Sequence, residues 1–152
     1  MRYLVFTTIF ALLAGCSGGS SPTIAPNVTK QQQASANQSM GLAFPSETQF
    51  LLYHRASESG IIRGPDDAVH LKIQMPSSVM EDFISQEPLS TAQWGNSFPQ
   101  IHDNPNWPQW QPSKIKKFRF QQFQLFNSQA LNVLIDDDHS DQKVIYLVWF
   151  EI

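Results

Sequence analysis

Three of the four tryptophans lie in one stretch, residues 89–113, which is otherwise rich in Pro, Asn and Gln. They are Trp94, Trp107 and Trp110. Exposed aromatic faces bind sugar rings, and aromatic side chains next to prolines bind peptides. The stretch has neither helical nor strand periodicity, and loops of this length are usually functional or disordered. It predicts a ligand or partner surface; the alternative is that the rings fold back onto the core.

Four cations follow within six residues: Lys114, Lys116, Lys117 and Arg119. On the outside of a membrane-attached protein, such a cluster can contact anionic lipid or glycan. Charged side chains also protect an edge strand from pairing with another chain. The edge-strand interpretation is favoured.

An acidic run, Asp136-Asp137-Asp138-His139-Ser140-Asp141, contains ligands of the kind that calcium prefers. The run lacks the alternating ligands and the glycine of an EF-hand loop. Aspartate also suits turns, and two predicted strands must be joined here. We therefore expect a polar turn and no metal site.

Motifs of enzymatic chemistry are missing from the sequence. It has no His-Glu-x-x-His, no Gly-x-Ser-x-Gly and no phosphate-binding glycine loop. His102 and Asp103 could form an acid/base pair, but we assign no catalytic residue and expect no cofactor. A net charge of −3 gives no reason to expect a nucleic-acid partner. The single cysteine excludes an internal disulfide and a cysteine-based zinc site.

The chain opens with Met1-Arg2, continues with an apolar run from Tyr3 to Gly15, and then reaches Cys16. This run is shorter than the ~20 residues that cross a bilayer as a helix, and it is typical of a secretory signal peptide. Leu13-Ala14-Gly15-Cys16 resembles the lipobox of bacterial lipoproteins. The resemblance implies a diacylglyceryl group on the Cys16 thiol, cleavage before Cys16 and a further acyl chain, such as palmitate, on the new amino group.

The resemblance also bears on location. In Gram-negative lipoproteins an Asp directly after the cysteine retains the protein at the inner membrane, and this chain has Ser17 there. The implied location is the cell outer membrane, with a lipid anchor and the domain facing the periplasm. We expect a signal peptide over residues 1–15, a lipidated cysteine and flexible linker over 16–40, and a single domain over 41–152. The linker segment has too few large apolar side chains to offset the entropy of ordering it.

Hydrophobic patterns predict the fold of that domain. Residues 69–75 alternate as a half-buried strand, and residues 78–87 form a short helix with a Ser78/Glu81 capping box. Residues 49–55 fit a strand or a helix, with the strand weakly preferred. Residues 116–126 carry Phe at both even and odd positions, which lie on opposite faces of a regular strand. Either both faces are covered, or a bulge shifts the register. Residues 131–135 form the next strand, and residues 143–152 form a strand that is apolar on both sides and therefore central.

These patterns favour an α+β fold in which one short helix packs on an antiparallel sheet of about 4–5 strands, preceded by a disordered tether. The expected function is that of a lipid-anchored cell-envelope protein with a non-catalytic binding or structural role. Its partner, besides the membrane, would be another envelope protein or a glycan. The alternative is a periplasmic hydrolase-type enzyme, or an enzyme inhibitor, that acts on an envelope component.

Lipidation at Cys16 is directly testable. We expect Cys16→Ser to abolish lipid attachment, so that the protein no longer fractionates with membranes. The intact mass of the mature wild-type protein checks the premise. A wild-type mass without lipid on Cys16 would contradict the anchoring argument.

Overall fold

The structure is a computed structural model and describes residues 21–57, 67–97 and 101–152. The expected signal peptide and the lipidation site at Cys16 lie outside the described residues. In the part that is described, none of the helices combines the length and the apolar character that a membrane span requires.

One antiparallel sheet organises the described residues. Its strands are β1 (Thr23–Ile24), β2 (Gln49–Ser57), β3 (Asp67–Pro76), β4 (Phe118–Leu125), β5 (Gln129–Asp136) and β6 (Gln142–Glu151). Their spatial order is β1-β2-β3-β6-β5-β4, so β6 lies in the middle, as its apolar pattern predicts. Residues 49–55 are strand, as preferred. The α+β class is confirmed, but the described sheet has six strands instead of 4–5.

The first face of the sheet is covered by two helices, α1 (Lys30–Met40) and α2 (Met80–Ile84). Alternation along β3 directs Val69, Leu71 and Ile73 to this face, where all three are fully buried. They belong to one core cluster with Met40 and Phe83 from the two helices. This face is a conventional helix-on-sheet core.

Helix α1 corrects the expectation of a disordered tether up to residue 40. Thr29 and Gln32 form a capping box: the Thr29 Oγ accepts the Gln32 N–H at 3.2 Å, and the Gln32 Oε1 accepts the Thr29 N–H at 2.9 Å. Gly41, at φ 65°, ends the helix in the left-handed conformation that glycine favours. Ala36 and Met40, four residues apart, are completely buried, so the helix is anchored by a short apolar stripe.

The predicted helix over residues 78–87 is shorter than expected. The chain first makes a 3₁₀ turn over Ser77–Val79, and α2 then begins at Met80 without a side-chain cap. The predicted Ser78/Glu81 capping box is therefore wrong. The neighbouring Ser77 bonds instead to the β5–β6 connection, since its N–H donates to the Asp141 carbonyl at 3.0 Å. Helix α2 thus begins two residues after the predicted start.

The second face of the sheet is covered by irregular chain. A second core cluster joins Leu52 of β2, Leu134 of β5 and Tyr146 of β6 to buried side chains of the segment 101–115. Phe118 and Phe120 pack against this cluster, whereas Phe123 and Leu125 pack against the first. The even and odd apolar positions of β4 therefore lie on two faces of the sheet that are both covered. Strand β4 pairs with β5 without a register shift, so no bulge is needed.

Phe83 tests the first core. Phe83→Ala leaves a cavity beneath α2, and we expect it to lower the free energy of unfolding by roughly 3–5 kcal/mol. Ile84→Ala is the control on the same helix, with a smaller loss because Ile84 is only half-buried. Equilibrium urea denaturation measures both. A loss below ~1 kcal/mol for Phe83→Ala would show that α2 does not complete the core.

Candidate functional site

Two of the three tryptophans proposed as a binding surface are buried. Trp107 is 7% exposed and Trp110 is 1% exposed. Trp94 is half-buried against the first core, with its ring 6.1 Å from that of Phe123. The prediction that Trp107 and Trp110 present exposed faces is wrong, because both rings fold back onto the second face of the sheet.

Both rings pack on a pair of histidines. His54 on β2 lies opposite His70 on β3, with ring centroids 6.0 Å apart. The Trp107 centroid is 4.3 Å from that of His54, and the Trp110 centroid is 5.5 Å from that of His70. Trp110 also meets Tyr146 edge-to-face at 5.0 Å. Aromatic pairs at these distances stabilise a fixed relative orientation.

Hydrogen bonds close the segment 101–115 around these rings. The Trp110 indole N–H donates to the His102 carbonyl at 3.0 Å. The Asp103 carboxylate accepts the Ser113 N–H at 2.9 Å and the Ser113 hydroxyl at 2.6 Å. These bonds lower the pKa of Asp103. Asp103, which could form an acid/base pair with His102, thus connects the two ends of the segment through Ser113.

An open groove of about 400 Å³ lies between this segment and the β5–β6 connection. Its ionisable lining residues are Lys72, Lys114, Asp136, Asp138, His139 and Tyr146. Lys114 comes from the cationic cluster, and three others come from the acidic run. The fold therefore brings parts of two separately predicted clusters together in one groove, which we call the polar groove.

Lys72 and Tyr146 form the floor of the polar groove. They are opposite each other on β3 and β6, and the Lys72 Nζ lies 4.8 Å from the centre of the Tyr146 ring. The Lys72 Nζ also donates to the Gln109 carbonyl at 2.7 Å. Burial lowers the pKa of Lys72, and the charge of Asp136 opposes this effect. Burial, with the nearby carboxylate of Asp136, raises the pKa of Tyr146 to about 12, so the phenol is protonated at neutral pH.

The acidic run forms one wall, as a polar turn between β5 and β6. The Asp138 carboxylate accepts the backbone N–H groups of Lys116 at 2.9 Å and Lys117 at 3.0 Å, which lowers the pKa of Asp138. One oxygen of Asp136 accepts the Asp138 N–H at 2.8 Å. Across the described ranges, no group of three or more His, Cys, Asp or Glu residues is arranged to hold a metal ion.

The cationic cluster is divided by the fold. Lys114 lines the polar groove, whereas Arg119 on β4 forms a salt bridge with Asp137, in which Nε lies 2.8 Å from Oδ2. Lys116 and Lys117 are exposed just before β4, which is the last strand of the sheet. The edge-strand interpretation stays a prediction for these two lysines, which precede the strand itself.

The sequence pattern does not single out Lys72 or Tyr146, because each is an ordinary member of a strand in which apolar and polar residues alternate or both sides are apolar. One feature of the sequence could have indicated them. The polar side of β3 carries His70 and Lys72, side chains that are unusual on a face covered by other parts of the chain. Recognising them required knowing that residues 101–115 cover this face.

Comparisons of the chain with models of protein families, with curated proteins and with solved structures find no match.

His70 makes the second face sensitive to acid. Burial, together with the neighbouring His54, lowers the pKa of His70 from 6.5 to about 4. Between these values the unfolded chain binds a proton that the native protein excludes, so stability falls as the pH decreases. We expect the contribution of His70 to the free energy of unfolding to be about 2–3 kcal/mol less favourable at pH 4.5 than at pH 7.

Urea denaturation at pH 7 and pH 4.5 measures this loss. His70→Gln should reduce the loss of stability between pH 7 and pH 4.5 by about 2–3 kcal/mol. The control is His139→Gln, at an exposed position, and it should lose as much stability as the wild type. The same loss in His70→Gln as in the wild type would contradict the assignment to His70.

Proposed function

We propose that the protein is a lipid-anchored protein of the cell outer membrane, held through Cys16 with its domain facing the periplasm. Two or three acyl chains, at ~0.8 kcal/mol per buried methylene, give stable membrane attachment. We propose further that the domain has a non-catalytic binding role and that the polar groove is its contact surface. The observation that carries this proposal is the presence of opposite charges on the two sides of one open groove.

The charges of the polar groove favour a ligand that itself carries both signs. Lys72 and Lys114 supply two ammonium groups, and Asp136 and Asp138 supply two carboxylates. These four side chains sum to no net charge, so a simple polyanion or polycation would meet a repulsive group. A short peptide with a free amino group and a free carboxylate matches both signs. Envelope peptides are thus the favoured ligand class.

Two charged side chains of the polar groove are already held by contacts within the protein. Lys72 is held over Tyr146 and against the Gln109 carbonyl, while Asp138 is fixed by the backbone of Lys116 and Lys117. A preorganised site avoids the entropy of ordering its side chains when the ligand arrives. Each fixed group still has hydrogen-bonding capacity, since an ammonium group has three donors and a carboxylate has four lone pairs.

A matched pair of peptides tests the proposal. Trialanine carries both terminal charges, whereas N-acetyl-trialanine amide has the same length and neither charge. In an amide NMR titration of the full chain in detergent, we expect trialanine to shift resonances of residues that line the polar groove. The capped peptide should leave these resonances unchanged.

Substitutions then assign the binding to the groove. Lys114→Gln should weaken binding of trialanine several-fold, because an ammonium group is lost while the side chain stays polar. Lys30→Gln, on α1 at the opposite face, is the control and should bind as the wild type does. Equal shifts with both peptides, or shifts that lie away from the groove, would contradict the proposal.

A further inference from the structure

Strand β4 ends the sheet, and its outer edge is only partly covered. At Phe120 the strand pairs with residue 95: the Phe120 N–H donates to the Gly95 carbonyl at 2.8 Å, and the Gly95 N–H donates back at 3.1 Å. This isolated bridge covers the edge at one residue. Beyond it, toward Leu125, β4 has a neighbouring strand only on the β5 side in the described sheet.

The backbone groups of Gln122 and Gln124 point away from the sheet. In an antiparallel ladder, alternate residues direct both their N–H and C=O groups to the same side. Phe120 directs both groups to Gly95, so Gln122 and Gln124 direct theirs to the same outer edge. Among the hydrogen bonds within 21–57, 67–97 and 101–152, none uses the N–H of either residue. The Gln122 carbonyl accepts the Gln121 side chain at 2.8 Å and keeps a second lone pair.

This half of β4 also lacks the usual protection of an edge strand. Native edges are commonly blocked by charges, prolines or bulges. Arg119 is the last charged residue before Asp136, and residues 120–126 contain neither Pro nor a bulge. Phe126, directly after the strand, is 93% exposed. Among the residues that the structure describes, the outer edge from Gln121 to Phe126 is therefore open, uncharged and bordered by an exposed aromatic ring.

We propose that this edge pairs with the same edge of a second copy of the chain. The two β4 strands run antiparallel about a two-fold axis at Phe123, so that Gln122 of each copy is opposite Gln124 of the other. The segment Gln122-Phe123-Gln124 reads the same in both directions, which makes it self-complementary. Both opposed pairs can exchange their backbone hydrogen bonds, and the facing glutamine amides can bond to each other.

The bridge at Gly95 limits the register in one direction. A slip of the axis by one residue, to Gln122, would place Gln124 opposite Phe120, whose backbone groups are already paired with Gly95. In the proposed register, the pairing between copies ends before Phe126, because position 120 of the second copy, which would be opposite Phe126, is already paired with Gly95. The proposed interface shares no residue with the polar groove.

A pair of double variants of the full chain tests the surface and its register together. Gln122→Lys with Gln124→Lys places like charges opposite each other and should give a monomer. Gln122→Glu with Gln124→Lys places each introduced carboxylate opposite an introduced ammonium group of the other copy and should restore the dimer. Native mass spectrometry in detergent, at high-micromolar protein, should give the mass of two chains for the wild type.

Gln124→Pro provides a second route to the monomer. Proline is tolerated on edge strands where the N–H points away from the sheet, and here it removes an outward N–H that the chain itself does not use. The far-UV circular dichroism should therefore stay as in the wild type while the dimer is lost. A monomeric wild type would overturn the proposal. A dimer that survives the double lysine variant, or one that the Glu/Lys variant fails to restore, would overturn it as well.

Discussion

The requirement to cover both faces of the sheet determines most of this structure. Strand β6 lies in the middle of the sheet and is apolar on both sides, so other parts of the chain must cover both faces there. Helices α1 and α2 cover the first face. The second face is covered by residues 101–115, where Trp110 contacts β3 through His70 and β6 through Tyr146. An irregular segment thus serves as the second layer of the domain.

The polar groove is a consequence of this cover. Because residues 101–115 lie over β3 and β6, Lys72 is half-buried and Tyr146 is buried, and Lys114 lines the same groove as Asp136 and Asp138. The β5–β6 turn is fixed from two directions, by Ser77 and by the backbone before β4. Packing of apolar rings therefore positions the charged groups on which the proposed binding role rests.

Alternation of apolar residues was sufficient to predict β3, the central place of β6 and the α+β class. It was insufficient for α1, whose buried stripe consists of Ala36 and Met40 in an otherwise polar segment. Composition could not separate an exposed tryptophan surface from a buried one, because the prolines that hold a ring for a partner hold it equally well against a core. The polar groove could not be predicted, since its residues are distant in sequence and meet only through the cover on the second face.

The most direct test of this account is the free energy of unfolding of Trp110→Ala, measured by equilibrium urea denaturation. If Trp110 holds residues 101–115 on the sheet, the substitution removes the contacts to His70 and Tyr146 and the bond to the His102 carbonyl. The account predicts a loss of roughly 3–5 kcal/mol. A loss below ~1 kcal/mol would contradict it, because the second face would then be stable without its central ring.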